Sequence, residues 1–362
     1  MLVVRNINGR QIAVETSKSS SIYLRESDLK ESGIDALDCN LYSIELFLKG
    51  STDIVPFELT WELTNNCNLN CPFCYIHNHV HCKDISFEIA KPYIDEMILN
   101  GLFRVTLTGG ECTLNKDFLT IYRYFKENGV LVDVYTNGVV INPSIFETFE
   151  KLPPNRIEMT IYNSYANDPR PYHNALEFQK RGFNVLIKFT LTKTTIPYFN
   201  FVKTWCGEHN FSFKFDTDIF DAYDNSNTNA YQIDIEDKIR FDRLRAKNVF
   251  PKREMLCFSC GAGNVSYHIN SKFELGLCCK DCNRFSLLDT SFTEAYAKMK
   301  SLIMEFKNKA YSNCNNCFAR PICRMCYLRC IKSTDEHGNT TLTVPESFCK
   351  ATQEYYKKLF SN

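Results

Sequence analysis

The stretch Cys67-Asn68-Leu69-Asn70-Cys71-Pro72-Phe73-Cys74 puts three thiols within one short loop. Three thiolates at this spacing can hold three irons of a four-iron cluster and leave the fourth iron without a protein ligand. Four-cysteine ligation serves electron transfer or structure, whereas an iron lacking a cysteine can coordinate a substrate or cosubstrate. Further along the chain, Phe103-Arg104-Val105-Thr106-Leu107-Thr108 reads as a strand ending in Gly109-Gly110-Glu111. Glycines let a backbone approach a ligand closely, and a carboxylate can accept hydrogen bonds from an ammonium.

Around these loops, from about Pro56 to Phe250, strand and helix patterns alternate. Strands are predicted at 57–63, 104–107, 131–136, 156–161, 185–191 and 211–215. The stripe Ile89, Tyr93, Ile94, Met97 and Ile98 predicts a helix over 87–99, which Gly101 can end. Six strand–helix units predict an α/β fold, a partial (β/α)6 TIM-like barrel, with its chemistry at the carboxyl ends of the strands. Before it, 3–7 and 10–14 flank Asn8-Gly9, which suits a type I′ hairpin turn, and 41–48 can add a strand. This small N-terminal β-rich region reads either as a cap on the barrel or as a surface that captures a peptide by strand addition. The expected domains are 1–50, 51–250 and a cysteine-rich 251–362.

Composition limits the function classes. The 362 residues can bury a sizeable core, and 42 basic residues balance 42 acidic ones, so no global field favours nucleic acid or an anionic membrane. No apolar run approaches the roughly 20 residues needed to span a bilayer, and the start lacks a long apolar signal segment. A cytoplasmic protein is expected. Eighteen cysteines in a chain of this size then point to metal ligation rather than disulfides, and eleven of them lie between Cys257 and Cys349.

The first motif, CxxxCxxC with Phe73 before the last cysteine, resembles the signature of the radical S-adenosylmethionine (radical SAM) enzymes, and Gly109-Gly110-Glu111 resembles the turn that receives the methionine amino group there. The resemblance implies a 4Fe-4S cluster on Cys67, Cys71 and Cys74, with S-adenosyl-L-methionine bound at its open iron. Thr136-Asn137-Gly138 resembles a turn common in the family, and is equally an ordinary strand-terminating turn. Thr160-Ile161-Tyr162-Asn163 stands where relatives often carry Ser-Leu-Asp-Gly. By that correspondence Thr160 would contact the cosubstrate through its hydroxyl and Arg170 would meet its carboxylate.

Beyond Phe250, Cys314-x2-Cys317-x5-Cys323-x2-Cys326-x3-Cys330 and a late Cys349 resemble the SPASM domain of peptide-maturing radical SAM enzymes, as does Cys260-Gly261-Ala262-Gly263 followed by Cys278. Two departures stand out: Phe273 replaces the usual glycine before Cys278, and Cys326 follows Cys323 after two residues rather than three. The resemblance implies two auxiliary 4Fe-4S clusters. The outer would use Cys314, Cys317, Cys323 and Cys349; the inner Cys260, Cys278 and either Cys326 or Cys330, with Cys257 as a fourth ligand. Cys279 and Cys282 have no counterpart. By spacing alone, the paired CxxC units suit structural zinc equally well.

Other residues carry open alternatives. His77, His79, His81 and Cys82 can ligate a metal or form a solvated loop. Cys112 can lie near the cosubstrate or be a small buried hydrophobe. Asp216 and Asp218, after the sixth strand, can remove a proton or serve as a helix cap or salt-bridge partner. Tyr162, Tyr223 and Lys188 are of the same kind. The expected function is modification of a ribosomally synthesised peptide or protein by a 5′-deoxyadenosyl radical, giving a thioether or other crosslink, an oxidation or an epimerisation. The expected partners are that substrate and a reductase, flavodoxin or ferredoxin as electron donor, with no nucleic acid and no membrane. A dehydrogenase of a small molecule or cofactor precursor, and a non-catalytic zinc- or cluster-stabilised binding protein, are the alternatives.

Overall fold

The computed structural model describes residues 2–7, 10–15, 21–24, 58–76, 83–219, 222–223, 226–246, 262, 266–281, 283–309, 317–319, 322–323, 330–334 and 340–360. Near the N-terminus, β1 (Leu2–Ile7), β2 (Arg10–Glu15) and β3 (Ser21–Leu24) form an antiparallel meander. Ile7 faces Arg10, so two residues join the hairpin, as expected; Asn8-Gly9 themselves and the expected strand at 41–48 lie outside the described residues.

Six strands form the main sheet: β4 (Glu58–Glu62), β5 (Arg104–Thr108), β6 (Leu131–Thr136), β7 (Arg156–Thr160), β8 (Val185–Thr190) and β9 (Ser212–Asp216), each parallel to the one before. Between and after them run α1 (Phe87–Leu99), α2 (Phe118–Glu127), α3 (Pro143–Lys151), α4 (Arg170–Lys180), α5 (Phe199–Glu208) and α6 (Ile235–Ala246). These are the six predicted strand–helix units.

The sheet does not stop at β4. Strand β10 (Ser266–Ile269) pairs in parallel with β4, setting His268 beside Thr60, and β11 (Glu274–Gly276) and β12 (Phe285–Ser286) continue the sheet antiparallel. The first strands of the cysteine-rich region are thus hydrogen-bonded into the barrel sheet, giving nine strands in the order β12-β11-β10-β4-β5-β6-β7-β8-β9. Helix α7 (Phe292–Lys309), the hairpin β13 (Ile331–Thr334) and β14 (Thr340–Thr343), and α8 (Glu346–Phe360) complete the described chain.

The pleat sorts this sheet sharply. Leu59 and Trp61, Val105 and Leu107, Val132 and Val134, Ile157 and Met159, and Ile187 and Phe189 share the face packed with the helix residues Ile94, Met97, Ile121, Phe125 and Phe178. Trp61 is 2 % exposed, meeting Phe125 at 6.3 Å and Phe273 at 5.6 Å. Burying such a side chain contributes roughly 1.5–3 kcal/mol. The opposite face carries Glu58, Thr60 and Glu62, Arg104, Thr106 and Thr108, Asp133 and Tyr135, Arg156, Glu158 and Thr160, Lys188 and Thr190, and Lys214 and Asp216. Ion pairs lace it together: Arg104–Glu58 at 3.6 Å, Arg156–Asp133 at 3.1 Å and Lys188–Asp216 at 3.1 Å. Parallel strands buried on both faces are ordinarily apolar throughout, and a closed barrel fills its centre with branched apolar side chains. This inner face is therefore largely polar and ion-paired, where a closed barrel is filled with apolar side chains.

The β10–β11 turn contains Phe273 at φ +64°. Few residues other than glycine or asparagine occupy this left-handed region. The ring is fully buried, 5.1 Å from Tyr93 and 5.6 Å from Trp61, so core packing offsets the backbone strain. Among the described residues no helix is long and apolar enough to cross a membrane.

Candidate functional site

The thiol loop and the glycine turn extend the β4–β5 pairing beyond the strands. Leu63 N–H donates to Thr108 O (2.9 Å), Gly110 N–H to Thr64 O (2.8 Å) and Glu111 N–H to Asn66 O (2.8 Å). Glycine is required for this approach. A Cβ on Gly109, at φ +145°, would sit 2.4 Å from Thr64 O, and one on Gly110 would sit 2.4 Å from Asn66 O. The two motifs thus meet through their backbones at the carboxyl ends of neighbouring strands.

Glu111 is 1 % exposed. Its Oε1 accepts from Thr113 Oγ1 (2.7 Å), Thr136 Oγ1 (2.8 Å) and Thr113 N–H (3.3 Å), and its Oε2 from Asn137 N–H (2.7 Å). Burial still raises its carboxyl above the ordinary value. The carboxylate therefore ties the end of β6 to the end of β5, which gives the Thr136-Asn137-Gly138 turn a structural role. Asn137 extends the tie to the thiols, since its Nδ2 donates to Asn68 Oδ1 (2.7 Å) and lies 3.7 Å from Cys67 Sγ.

Cys67, Cys71 and Cys74 are half-buried. Leu69 N–H points at Cys67 Sγ (3.4 Å), and Cys74 N–H donates to Cys71 O (3.0 Å). Burial first, then the neighbouring thiols Cys74 and Cys67, pushes Cys71 up to about 12; burial pushes Cys74 up to about 11. Three crowded, half-buried thiols of this kind ionise together when a bound metal cation neutralises them. Donor chemistry and glycine cradle together fit a 4Fe-4S cluster with S-adenosylmethionine beside it. Among the described residues no three His, Cys, Asp or Glu side chains gather round a single ion.

Phe73 meets Tyr162 edge-on at 5.2 Å, and Tyr162 hydroxyl lies 3.4 Å from Thr190 Oγ1 and within reach of Thr160 at the end of β7. Thr160 is thus brought to the thiol loop through Tyr162. Arg170 starts α4, is exposed, and makes a two-pronged pair with Asp168 (Nε–Oδ1 and Nη2–Oδ2, both 2.8 Å). Asp216 pairs with Lys188, and Asp218 bonds Lys238. Cys112 is fully buried and donates to Tyr135 O at 3.2 Å; burial raises its thiol well above the ordinary value, which answers the question about it in favour of a small buried side chain.

On the other side of the thiol loop Tyr223, a candidate from the sequence, meets Glu62 and His268, which the sequence reading did not single out. Glu62, fully buried at the end of β4, accepts on Oε1 from Tyr223 hydroxyl (2.9 Å) and bonds His268 Nε2 (3.1 Å); its buried Oε2 has no hydrogen-bond partner. Burial alone would raise this carboxyl, but His268, then Tyr223 and Tyr75, hold it below the ordinary value. Behind His268, Arg284 Nη1 lies 3.2 Å from Nδ1 and Nη2 donates to the carbonyls of Cys278 (3.0 Å) and Cys279 (3.1 Å). Tyr223 N–H donates to Tyr75 O (2.8 Å), the residue after Cys74, and Ser271 hydroxyl bonds Asn65. Glu62 and His268 stand 206 residues apart, so only the β10–β4 pairing could reveal them; in the sequence Glu62 looks like any polar residue alternating along the strand, as Glu58 and Thr60 do.

Of the later cysteines, Cys278, Cys279, Cys317, Cys323, Cys330 and Cys349 are described, all half-buried. Gln353 Nε2 lies 3.9 Å from Cys317 Sγ, one helical turn along α8 from Cys349, so Cys317 lies beside the helix that carries Cys349. Cys257, Cys260, Cys282, Cys314, Cys326 and the set His77, His79, His81 and Cys82 lie outside the described residues.

Residues 61–188 match the radical SAM superfamily. The chain is 32 % identical over 138 residues to the AdoMet-dependent heme synthase of Methanosarcina barkeri, covering 37 % of this chain and 40 % of that one. It is 36 % identical over 103 residues to the mycofactocin maturase MftC of Mycolicibacterium smegmatis, covering 28 % and 26 %. The chain spans less than two thirds of the curated relatives it matches. Its fold is similar to Streptococcus suis SuiB bound to S-adenosylmethionine, with a TM-score of 0.63 at 17 % identity over 90 % of this chain and 94 % of that one; SuiB is also known bound to its precursor peptide SuiA.

Proposed function

Because residues 61–188 form a radical SAM domain, we propose that this protein is a SPASM-type radical SAM enzyme that modifies a ribosomally synthesised peptide or protein by forming a crosslink, oxidising it or epimerising it. One observation carries the reading: the thiol loop is locked to Gly109-Gly110-Glu111 at the carboxyl ends of neighbouring strands, beside a polar sheet face. Such a face suits a hydrogen-bonding substrate like a peptide, and the whole-length similarity in fold to SuiB agrees with it.

When bound, a 4Fe-4S cluster on Cys67, Cys71 and Cys74 with S-adenosylmethionine supplies one-electron cleavage of the sulfonium to a carbon radical that abstracts hydrogen. The chain's residues then have separable tasks. Gly109 and Gly110 admit the cosubstrate's amino end, and Glu111 fixes the rim by holding Thr136 and Asn137. Thr160 and Arg170 would orient the cosubstrate, which requires Arg170 to leave Asp168. Phe73 and Tyr162 wall the loop against water. Asp216, half-exposed on the polar sheet face, would take a proton from the substrate, while Asp218 is a positioning residue through Lys238.

The proposed auxiliary sites are two 4Fe-4S clusters, the outer on Cys314, Cys317, Cys323 and Cys349, the inner on Cys260, Cys278, Cys326 or Cys330, and Cys257. The contact of Cys317 with the Cys349 helix supports the outer set. A reductase, flavodoxin or ferredoxin would deliver the electron in the cytoplasm. Domain limits of 1–50, 51–250 and 251–362 remain part of the proposal, with β10 to β12 shared between the last two.

Similarity to the heme synthase favours one second reading, a dehydrogenase of a small molecule or cofactor precursor. The test is anaerobic reconstitution with iron and sulfide, then reduction with S-adenosylmethionine and assay of 5′-deoxyadenosine, in wild type and a Cys67→Ala/Cys71→Ala/Cys74→Ala variant. Release that rises with short peptides encoded beside the gene supports the maturase. Release that rises only with Fe-coproporphyrin III, the compound for which a further Methanosarcina barkeri relative at 26 % identity is named, supports the second reading. Zinc in place of iron, with no release, ends both.

A further inference from the structure

Two buried carboxylates flank the thiol loop, Glu111 on the Cys67 side and Glu62 on the Cys74 side. Glu111 holds Asn137, whose Nδ2 lies 3.7 Å from Cys67 Sγ, and Glu62 holds Tyr223, whose N–H donates to the carbonyl of Tyr75 beside Cys74. Their surroundings differ. Glu111 has hydrogen-bond donors on both oxygens, all of them neutral. Glu62 takes Tyr223 and His268 on Oε1, with Tyr75 as a further hydrogen-bonding neighbour, while its buried Oε2 meets no donor in hydrogen-bond geometry. Its charge is therefore least screened on that oxygen, in a buried place where Coulomb forces reach furthest. The groups facing Glu62 from other elements are Tyr223, His268 on β10, Tyr75 and Cys279, with the Arg284 cation behind His268.

A buried carboxylate with so few cations nearby is costly to maintain, and the β4–β10 pairing beside it is made by backbone groups. What a fixed negative charge beside Cys74 does is oppose the arrival of an electron at whatever those thiols hold. Reductive cleavage of a sulfonium calls for a strong reductant, hence a low potential. We propose that Glu62, held by His268 and Tyr223, is a positioning residue that sets the reduction potential of the cluster on Cys67, Cys71 and Cys74. This rests on the radical SAM reading of the loop. Arg284 adds a second consequence: through His268 it ties the peptide carbonyls of Cys278 and Cys279 to the same carboxylate, so the charge and the inner auxiliary segment keep a fixed relation.

The experiment is a redox titration of the reconstituted protein without substrate, following the reduced cluster by electron paramagnetic resonance. Wild type is compared with Glu62→Gln, which removes the charge, Glu62→Asp, which keeps it, and Tyr223→Phe, which keeps the charge and removes one donor. Glu62→Gln is expected to favour the reduced state at least tenfold, an upward shift of about 59 mV for one electron. Glu62→Asp and Tyr223→Phe should stay within threefold of wild type. Equal midpoints in wild type and Glu62→Gln at equal iron content overturn the proposal. If Glu62→Gln fails to hold iron, Glu62→Asp decides, because a shift as large as tenfold with the charge retained overturns it too. Wild type that holds no iron sinks the radical SAM reading instead, so the two failures are distinct.

Discussion

Replacing Phe273 by glycine is expected to cost less stability than replacing it by alanine, the reverse of the order found within regular strands and helices. Two terms set the sizes. Loss of the fully buried ring, with its neighbours Tyr93 and Trp61 at 5.1 and 5.6 Å, costs about 3–5 kcal/mol in either variant. The backbone at φ +64° costs an L-residue roughly 1–2 kcal/mol, which alanine retains and glycine sheds. Phe273→Ala should therefore lose about 3–5 kcal/mol and Phe273→Gly about 1 kcal/mol less. Urea unfolding of the metal-free protein, followed by tryptophan fluorescence, reads both, since Trp61 touches the replaced ring. An alanine variant as stable as the glycine variant, or more so, would refute the reasoning. It would mean that the turn relaxes out of the left-handed region once the ring is gone.

Gly110→Ala drives a Cβ to within 2.4 Å of Asn66 O, so it should cut 5′-deoxyadenosine release at least tenfold while leaving the far-ultraviolet circular dichroism unchanged; full release would show that the rim can widen. Asp216→Asn should lower product formation by about a hundredfold with cosubstrate cleavage retained, measured by mass spectrometry of the peptide. Asp218→Asn should shift stability by no more than about 1 kcal/mol, and a larger loss would make the Lys238 pair more than a surface contact. Iodoacetamide mapping of the native metal-free protein should leave Cys112 unmodified, because burial keeps its thiol protonated and covered; rapid labelling would count against that burial. Glu62, with its carboxyl below the ordinary value, stabilises the fold above the unfolded-state carboxyl range, and that contribution is lost as pH falls through its folded value. Metal-free Glu62→Gln should accordingly lose less stability than wild type as pH falls through and below the ordinary carboxyl range, seen in thermal unfolding.

The six parallel strands and α1 were legible because each alternates or repeats locally: Val132 and Val134 against Asp133 and Tyr135, or Ile94 and Met97 along one helix face, although Ile89, read as part of that stripe, is 46 % exposed and Ala90 takes the buried place. The thiol loop and the glycine turn were legible for a similar reason, their chemistry being written in adjacent residues. What stayed hidden depends on distant pairing. Ser266–Ile269 is too short to announce a parallel partner two hundred residues earlier, and so the Glu62–His268 bond had no local trace. Phe273 looked like a departure from a glycine position, and the position does want glycine's backbone; packing against Trp61 outweighs that preference. Arg170 was expected at the cosubstrate, but Asp168, two residues away, engages it first.

The pairing of β10 with β4 also puts the barrel at risk during its own synthesis. Until Ser266–Ile269 has left the ribosome, one long edge of β4 has no strand to bond, and an open edge is a template for joining another chain. At about 5–20 residues per second, the roughly 200 intervening residues take about 10–40 s to appear. Throughout that interval the nascent barrel carries its thiol loop beside an unfinished sheet edge, so shielding by a chaperone in those seconds would govern how much protein reaches the state able to take up iron.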